Sequence, residues 1–208
     1  MARFTRKQIE YAIQRLGVLN LPGRDLRQLD LSRLSLKGAD LSGADLSGAL
    51  LREVCADGTD LSKANLSWAN LYMASLFSAD LTGANLSDAY LQSALLSRAH
   101  LCGANLSTAD LSKADLSWTD LTKANLCMTN LAEADLSHSH LSEANLAGAN
   151  LAEANLTWAN LDDADLRGAD LRGARIGHCE WRGTKYNLQT AWPVGFVPAL
   201  VDGPIEVT

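Results

Sequence analysis

His100, Asp120 and His140 follow one another at steps of twenty residues, and Trp118, His138, Trp158 and His178 keep the same step. Imidazoles and carboxylates at regular spacing are raw material for metal sites and for acid–base catalysis. Neither chemistry follows here. A metal draws its ligands to one point, whereas side chains that succeed one another along an outer wall diverge. If residues twenty apart stack in one column, the arrangement reads as an Asp–His ladder in which imidazoles relieve carboxylate repulsion. Cys55, Cys102, Cys127 and Cys179 form no Cys-x-x-Cys pair, which fits free thiols in a reducing, cytoplasmic compartment. No Gly-rich phosphate loop, Gly-x-Ser-x-Gly elbow or His-Glu-x-x-His motif is present, so no catalytic, cofactor-binding or metal-binding residue is expected.

The charge pattern narrows the partners. The chain carries a net −6 over 208 residues. Residues 1–37 hold eight Lys/Arg against three Asp/Glu, residues 38–163 hold five against sixteen, and the remainder balances. An acidic middle argues against direct binding of nucleic acid through its phosphates. The start, "MARFTRKQIEYAIQRLG", has no apolar core of a signal peptide. No run approaches the length of a membrane span.

These residues must be positioned by something with an unusual period. Leu occupies every fifth position from Leu21 to Leu171, with Ala56 the sole exception, and Ile176 and Trp181 continue the phase. On an α-helix five residues rotate by about 500°, a net ~140°, which scatters the leucines around the cylinder. On a flat strand an odd step sends alternate leucines to opposite faces. They share an interior only if the chain turns a corner every five residues and stacks on itself as a solenoid. Two residues before each Leu, 23 of 28 positions from Ala39 to Ala174 are Ala, small enough to share that interior. The residue just before each Leu is mostly Asp or Asn, which favour turns and side-chain-to-backbone bonds. The two that follow are largely polar, as an outer wall requires. Ala56 lacks the isobutyl group its neighbours have, so a void or a local bulge is expected at 55–58.

The motifs "ADLSG", "ANLSW", "ADLTG" and "ANLAG" resemble the pentapeptide-repeat family, A(D/N)LXX, and of a type found in cyanobacteria. The resemblance covers about 165 of 208 residues. It implies an all-β solenoid: a right-handed, quadrilateral parallel β-helix with four pentads per coil, hence about eight coils. Members of that family include proteins that protect DNA gyrase from quinolones by mimicking duplex DNA. Asp40, Asp60, Asp80 and Asp120 form the acidic column such a mimic would use. Ten Asp share the positions before Leu with ten Asn between 40 and 170, and half-neutral columns weaken the mimic.

Both ends of a solenoid need covers. Thr5 and Gln8 have capping-box spacing, with Phe4 and Ile9 placed as a hydrophobic staple. Ile9, Ala12, Ile13 and Leu16 follow a helical stripe and Gly17 can close it. The spacing predicts one helix over 6–16, an N-terminal cap over 1–18, the β-helix over 19–188 and an irregular C-terminal cap over 189–208. Leu19, Leu29 and Leu34 stand where later coils have Ala, consistent with a looser first coil. The tail carries Tyr186, Trp192, Phe196 and Leu200, and serves either as a simple cap or as the seam of a homodimer.

Two surfaces could bind a protein partner. Trp68, Tyr72, Met73, Phe77 and Tyr90 gather into the larger exposed apolar group, with Leu50 and Asn70 in the column of Tyr90. Trp118, His138, Trp158 and His178 form a stacking column that ordinary ladder packing explains equally well. "LSKANLSWANL" at 61–71 returns as "LSKADLSWTDL" at 111–121, fifty residues on. That is two and a half coils, so the copies face opposite walls. The expected function is a non-enzymatic scaffold or protein-interaction rod, with a DNA-mimicking topoisomerase modulator as the alternative.

Overall fold

The computed structural model describes residues 4–198 and 205–207. Parallel β-bridges join Asn20 to Asp40, Asp25 to Asp45 and so on to Asp165 with Lys185, each across twenty residues. Four corners therefore complete one coil, and about eight coils stack. At a strand spacing of ~4.8 Å the rod is ~40 Å long. We number its four walls by their inward residues in chain order: Leu41 and Leu61 on the first, Leu46 and Leu66 on the second, Leu51 and Leu71 on the third, Ala56 and Leu76 on the fourth.

One pentad, residues 104–108, shows why the repeat has this composition. The Ala104 amide closes the corner on Leu101 O at 3.0 Å. Asn105 N bonds back to Ala84 O at 2.9 Å, while Leu106 N and Thr108 N bond forward to Asn125 O at 2.7 Å and Cys127 O at 3.0 Å. The fifth amide, Ser107 N, donates to Oδ1 of Asn105 at 3.2 Å. Every N–H thus has a partner, as buried or half-buried backbone requires, and the Asp or Asn before each Leu supplies the one acceptor the ladder lacks.

Leucines and alanines fill the interior, and nearly all are fully buried. Each buried Leu stabilises by about 1.5–3 kcal/mol before entropy is subtracted. Where Thr59, Thr119, Thr129 and Ser139 replace Ala, each hydroxyl donates to a main-chain carbonyl, on Leu36, Leu116, Leu106 and Leu136 respectively. No buried side-chain polar atom among the described residues lacks a partner.

Ala56 does not produce a bulge. Ala56 N bonds Ser75 O at 2.7 Å, Gly58 N bonds Phe77 O at 2.9 Å, and Cys55 stays paired with Ser35 and Ser75. The register is carried by backbone bonds that do not depend on the inward side chain.

The third residue of each corner has φ near +60° at all 33 corners from Gly23 to Gly183, and 22 of these residues are not glycine. Because the second corner residue is not left-handed, these are type II turns. A left-handed non-glycine residue costs roughly 1 kcal/mol, so the ladder and core override local preference at two corners in three.

Helix α1 spans Arg6–Leu16, with Thr5 as N-cap, a complete capping box to Gln8, and Gly17 closing the C-terminus onto Ile13 O. Ile9 is its buried anchor. Arg6 donates to the main-chain carbonyls of Asp30 and Ser32, which blocks part of the first coil's open edge. Leu29 and Leu34 are only half-buried beneath the helix, whereas Leu19 is buried.

At the other end β1 (Lys185–Tyr186) pairs in parallel with β2 (Ile205–Glu206), again twenty residues on. The tail is therefore less irregular than its composition suggests, although Asp170 pairs with Ala191 across twenty-one. Trp192 packs edge-on against Trp181 at 5.8 Å and Tyr186 at 5.6 Å, and lies 5.0 Å from Phe196. Leu200 lies outside the described residues. No helix among the described residues is long and apolar enough to cross a membrane.

Candidate protein-interaction surfaces

Backbone accounting separates structural from dispensable side chains. Between positions 40 and 170 the residue before the inward position is Asp or Asn except at Leu50, Cys55, Ser75, Tyr90, Leu95, His100 and His140. At those seven the following amide, for example Arg52 N or Gln92 N, has no side-chain acceptor of this kind. Five of the seven lie on the third and fourth walls between 50 and 95. The exceptions are densest there, with His100 and His140 apart on the first wall, and exposed apolar side chains, Leu50, Tyr90 and Leu95, collect among them.

Tyr72 and Tyr90 share the third wall, where they line a shallow open hollow with Arg52, Asn70 and Gln92. The Arg52 guanidinium sits over the Tyr72 ring at 5.2 Å. Trp68 stands at the corner between second and third walls and is 59% exposed; Met73 occupies the next corner and is 51% exposed. Phe77 lies beyond it on the fourth wall, also exposed. The structure thus places Trp68, Tyr72, Met73 and Tyr90 in one band across the third wall and both its corners, with Phe77 apart at the far edge of the fourth wall. Arg52, Gln92 and the exposed Leu95 belong to the same band and were missed in the sequence. Leu95 carried a signal, an apolar residue in an Asp/Asn position.

The corner between the fourth and first walls carries the other surface. Trp118 and His138 stack at 4.2 Å and 7°, His138 and Trp158 lie at 6.3 Å and 3°, and Trp158 and His178 at 4.1 Å and 11°. All four have φ between 58° and 65°, so the turn projects each ring from the corner and the coil spacing brings successive rings into register. Ser117, Ser137, Thr157 and Gly177 run alongside, which leaves the rings as a ridge.

Asp40, Asp60 and Asp80 succeed one another on the first wall, followed by His100, Asp120 and His140. Each of the four aspartates accepts the amide two residues on, from Ser42, Ser62, Thr82 and Thr122. The Ser42 hydroxyl, aided by its amide, holds the Asp40 carboxyl below the usual aspartate range. These carboxylates are turn-forming groups first. No cluster of three or more His, Cys, Asp or Glu among the described residues could hold a metal. The four cysteines are free. Burial pushes the Cys179 thiol up to about 12, so it offers no thiolate near neutral pH.

A family model described as pentapeptide repeats matches in eight copies over residues 20–53, 59–98, 89–127 and 129–168. Among solved structures, HetL from the cyanobacterium Nostoc sp. strain PCC 7120, a pentapeptide repeat protein involved in heterocyst differentiation regulation, is 33% identical. The match covers 88% of this chain and 97% of HetL, with a TM-score of 0.40. Rfr23 from the cyanobacterium Cyanothece 51142 is 25% identical over 89% of this chain and 98% of its own, with a TM-score of 0.35. QnrB1, a plasmid-mediated fluoroquinolone resistance protein, is 18% identical over 81% and 92%, with a TM-score of 0.42. No curated protein sequence matches.

Proposed function

The chain belongs to the pentapeptide-repeat family, and from that premise we propose that it is a non-enzymatic, cytoplasmic scaffold whose right-handed, four-sided β-helix presents flat walls to a protein partner. In this reading residues 19–188 are the rod and residues 1–18 and 189–208 its end caps. It takes no cofactor and touches neither nucleic acid nor membrane directly.

The observation that carries this reading is the ridge Trp118–His138–Trp158–His178, which holds four rings in register, Trp118, Trp158 and His178 exposed and His138 half-buried between the tryptophans, at positions where glycine would relieve the backbone. Exposed aromatics flanked by polar walls are what protein interfaces bury first. A photo-crosslinker at Ser137, beside the ridge, captures one defined protein in the source cells. The same group at Ser107 on the second wall captures none, and Trp118→Ser with Trp158→Ser abolishes the capture. Identical capture from both positions removes the reading.

DNA mimicry toward gyrase is the competing reading, supported by the unbroken run Asp40, Asp60, Asp80 on one wall. A supercoiling assay separates the two: the scaffold reading expects unchanged gyrase activity at micromolar protein.

A further inference from the structure

The third wall is complementary to itself. Its outward pairs run Leu50 and Arg52, Asn70 and Tyr72, Tyr90 and Gln92, then Asp110 and Ser112, each row one coil above the last. At one end Arg52 lies over Tyr72 and enters no ion pair among the described residues. At the other, Gln92 Nε2 donates to Asp110 Oδ2 over 2.8 Å, which draws that carboxylate beside Gln92.

We propose that two copies of this chain pack antiparallel, third wall against third wall, about a twofold axis that passes through the row of Asn70 and Tyr72. A rotation of 180° about an axis lying in the wall and crossing the rod keeps each column and reverses the order of rows. Tyr72 then meets the partner's Tyr72, and Asn70 meets the partner's Asn70. Leu50 covers the partner's Tyr90. Arg52 faces the partner's Gln92 and reaches the Asp110 carboxylate beside it, so each copy supplies one positive and one negative end to the seam. Asp30 comes opposite the partner's Asp110, and Arg6, 3.2 Å from the Asp30 carboxylate, offsets that repulsion. Other occupants do not require a positive residue, an aromatic centre and a negative residue in an order that, when reversed, becomes its own complement.

The seam stands apart from the Trp–His ridge, which lies on a corner the third wall does not share. The dimer leaves both ridges exposed and runs them in opposite directions. Five rows span ~19 Å, a short contact of the size found in weak, transient pairs.

Light scattering and sedimentation of the full chain test this. The wild type shows twice the 22.3 kDa chain mass and dissociates on dilution. Arg52→Glu and Asp110→Arg each weaken association by ~10-fold or more, and their equimolar mixture restores it, because each then supplies the charge the other lacks. Tyr72→Glu, which touches no backbone-bonding side chain, sets two carboxylates together on the axis and yields monomer whether or not Asp110→Arg folds. A monomeric wild type overturns the proposal. So does a dimer that survives Arg52→Glu and Tyr72→Glu, and one lost only on deletion of residues 189–208 places the seam at the tail instead.

Discussion

The second and third walls share a Leu-and-Ala interior from residue 44 to 126, broken on the third wall only beyond it by Thr129, and over that stretch they differ outside. On the second, Asn65, Asn85, Asn105, Asn125 and Asn145 form a continuous ladder, each amide nitrogen donating to the oxygen one coil below, starting from Asp45. Each also accepts the amide two residues on. On the third, Leu50 and Tyr90 interrupt the series and leave Arg52 N and Gln92 N without that acceptor. A side chain that bonds its own corner and its neighbour above and below is committed to the fold. One that abandons both bonds frees its surface for another use, and here that surface is apolar and aromatic.

The comparison breaks first if the interior is not shared. Leu86→Ala under the Asn ladder and Leu91→Ala under the tyrosines should each cost about 2–5 kcal/mol, equal within error by denaturant titration. A clear difference would mean that the walls differ inside as well.

Asn105→Ala comes next. It strands the Ser107 amide and cuts two ladder bonds, a loss of about 1–3 kcal/mol. Tyr90→Asn runs the other way. It restores the corner bond and should stabilise the chain by up to ~1 kcal/mol, while self-association weakens. Parallel thermal melts and sedimentation would show the two effects with opposite sign.

The smallest effect distinguishes Asp from Asn in the same structural role. Ser42 lowers the Asp40 carboxyl through its hydroxyl and amide. The Ser32 amide, with help from Ser32 and Arg6 side chains, lowers Asp30. The Arg172 side-chain bond, against partial burial, lowers Asp170. A carboxyl held below its unfolded value stabilises the fold above that unfolded value, and the contribution fades as pH falls through the lowered one. Melting temperature should hold down to about pH 5 and decline through about pH 4 and below. Asp40→Asn should flatten that decline slightly, because the amide keeps the corner bond and does not titrate.

Much of this was legible before any coordinates. The five-residue period excluded helix and sheet by geometry alone, Leu and Ala named the interior, and Thr5 with Gln8 located the helix start. The twenty-residue step placed Trp118, His138, Trp158 and His178 in one column once the family resemblance implied four pentads per coil. The expected bulge at Ala56 did not appear, since inward side-chain size does not control a ladder made of main-chain bonds. The twenty-residue return of β2 was hidden because that pairing uses backbone groups and leaves no pentad pattern in the tail. Arg52 and Gln92 escaped notice because the position after Leu accepts almost any polar residue, so departures there carry no signal.

Residue-resolved amide hydrogen exchange tests the central claim, that Asp or Asn before Leu completes the backbone of its corner. The Ser87 and Ser107 amides, held by Asn85 and Asn105, should be protected, whereas the Arg52 and Gln92 amides in equivalent positions should exchange much faster in monomeric Tyr72→Glu protein. Equal protection at all four would contradict it.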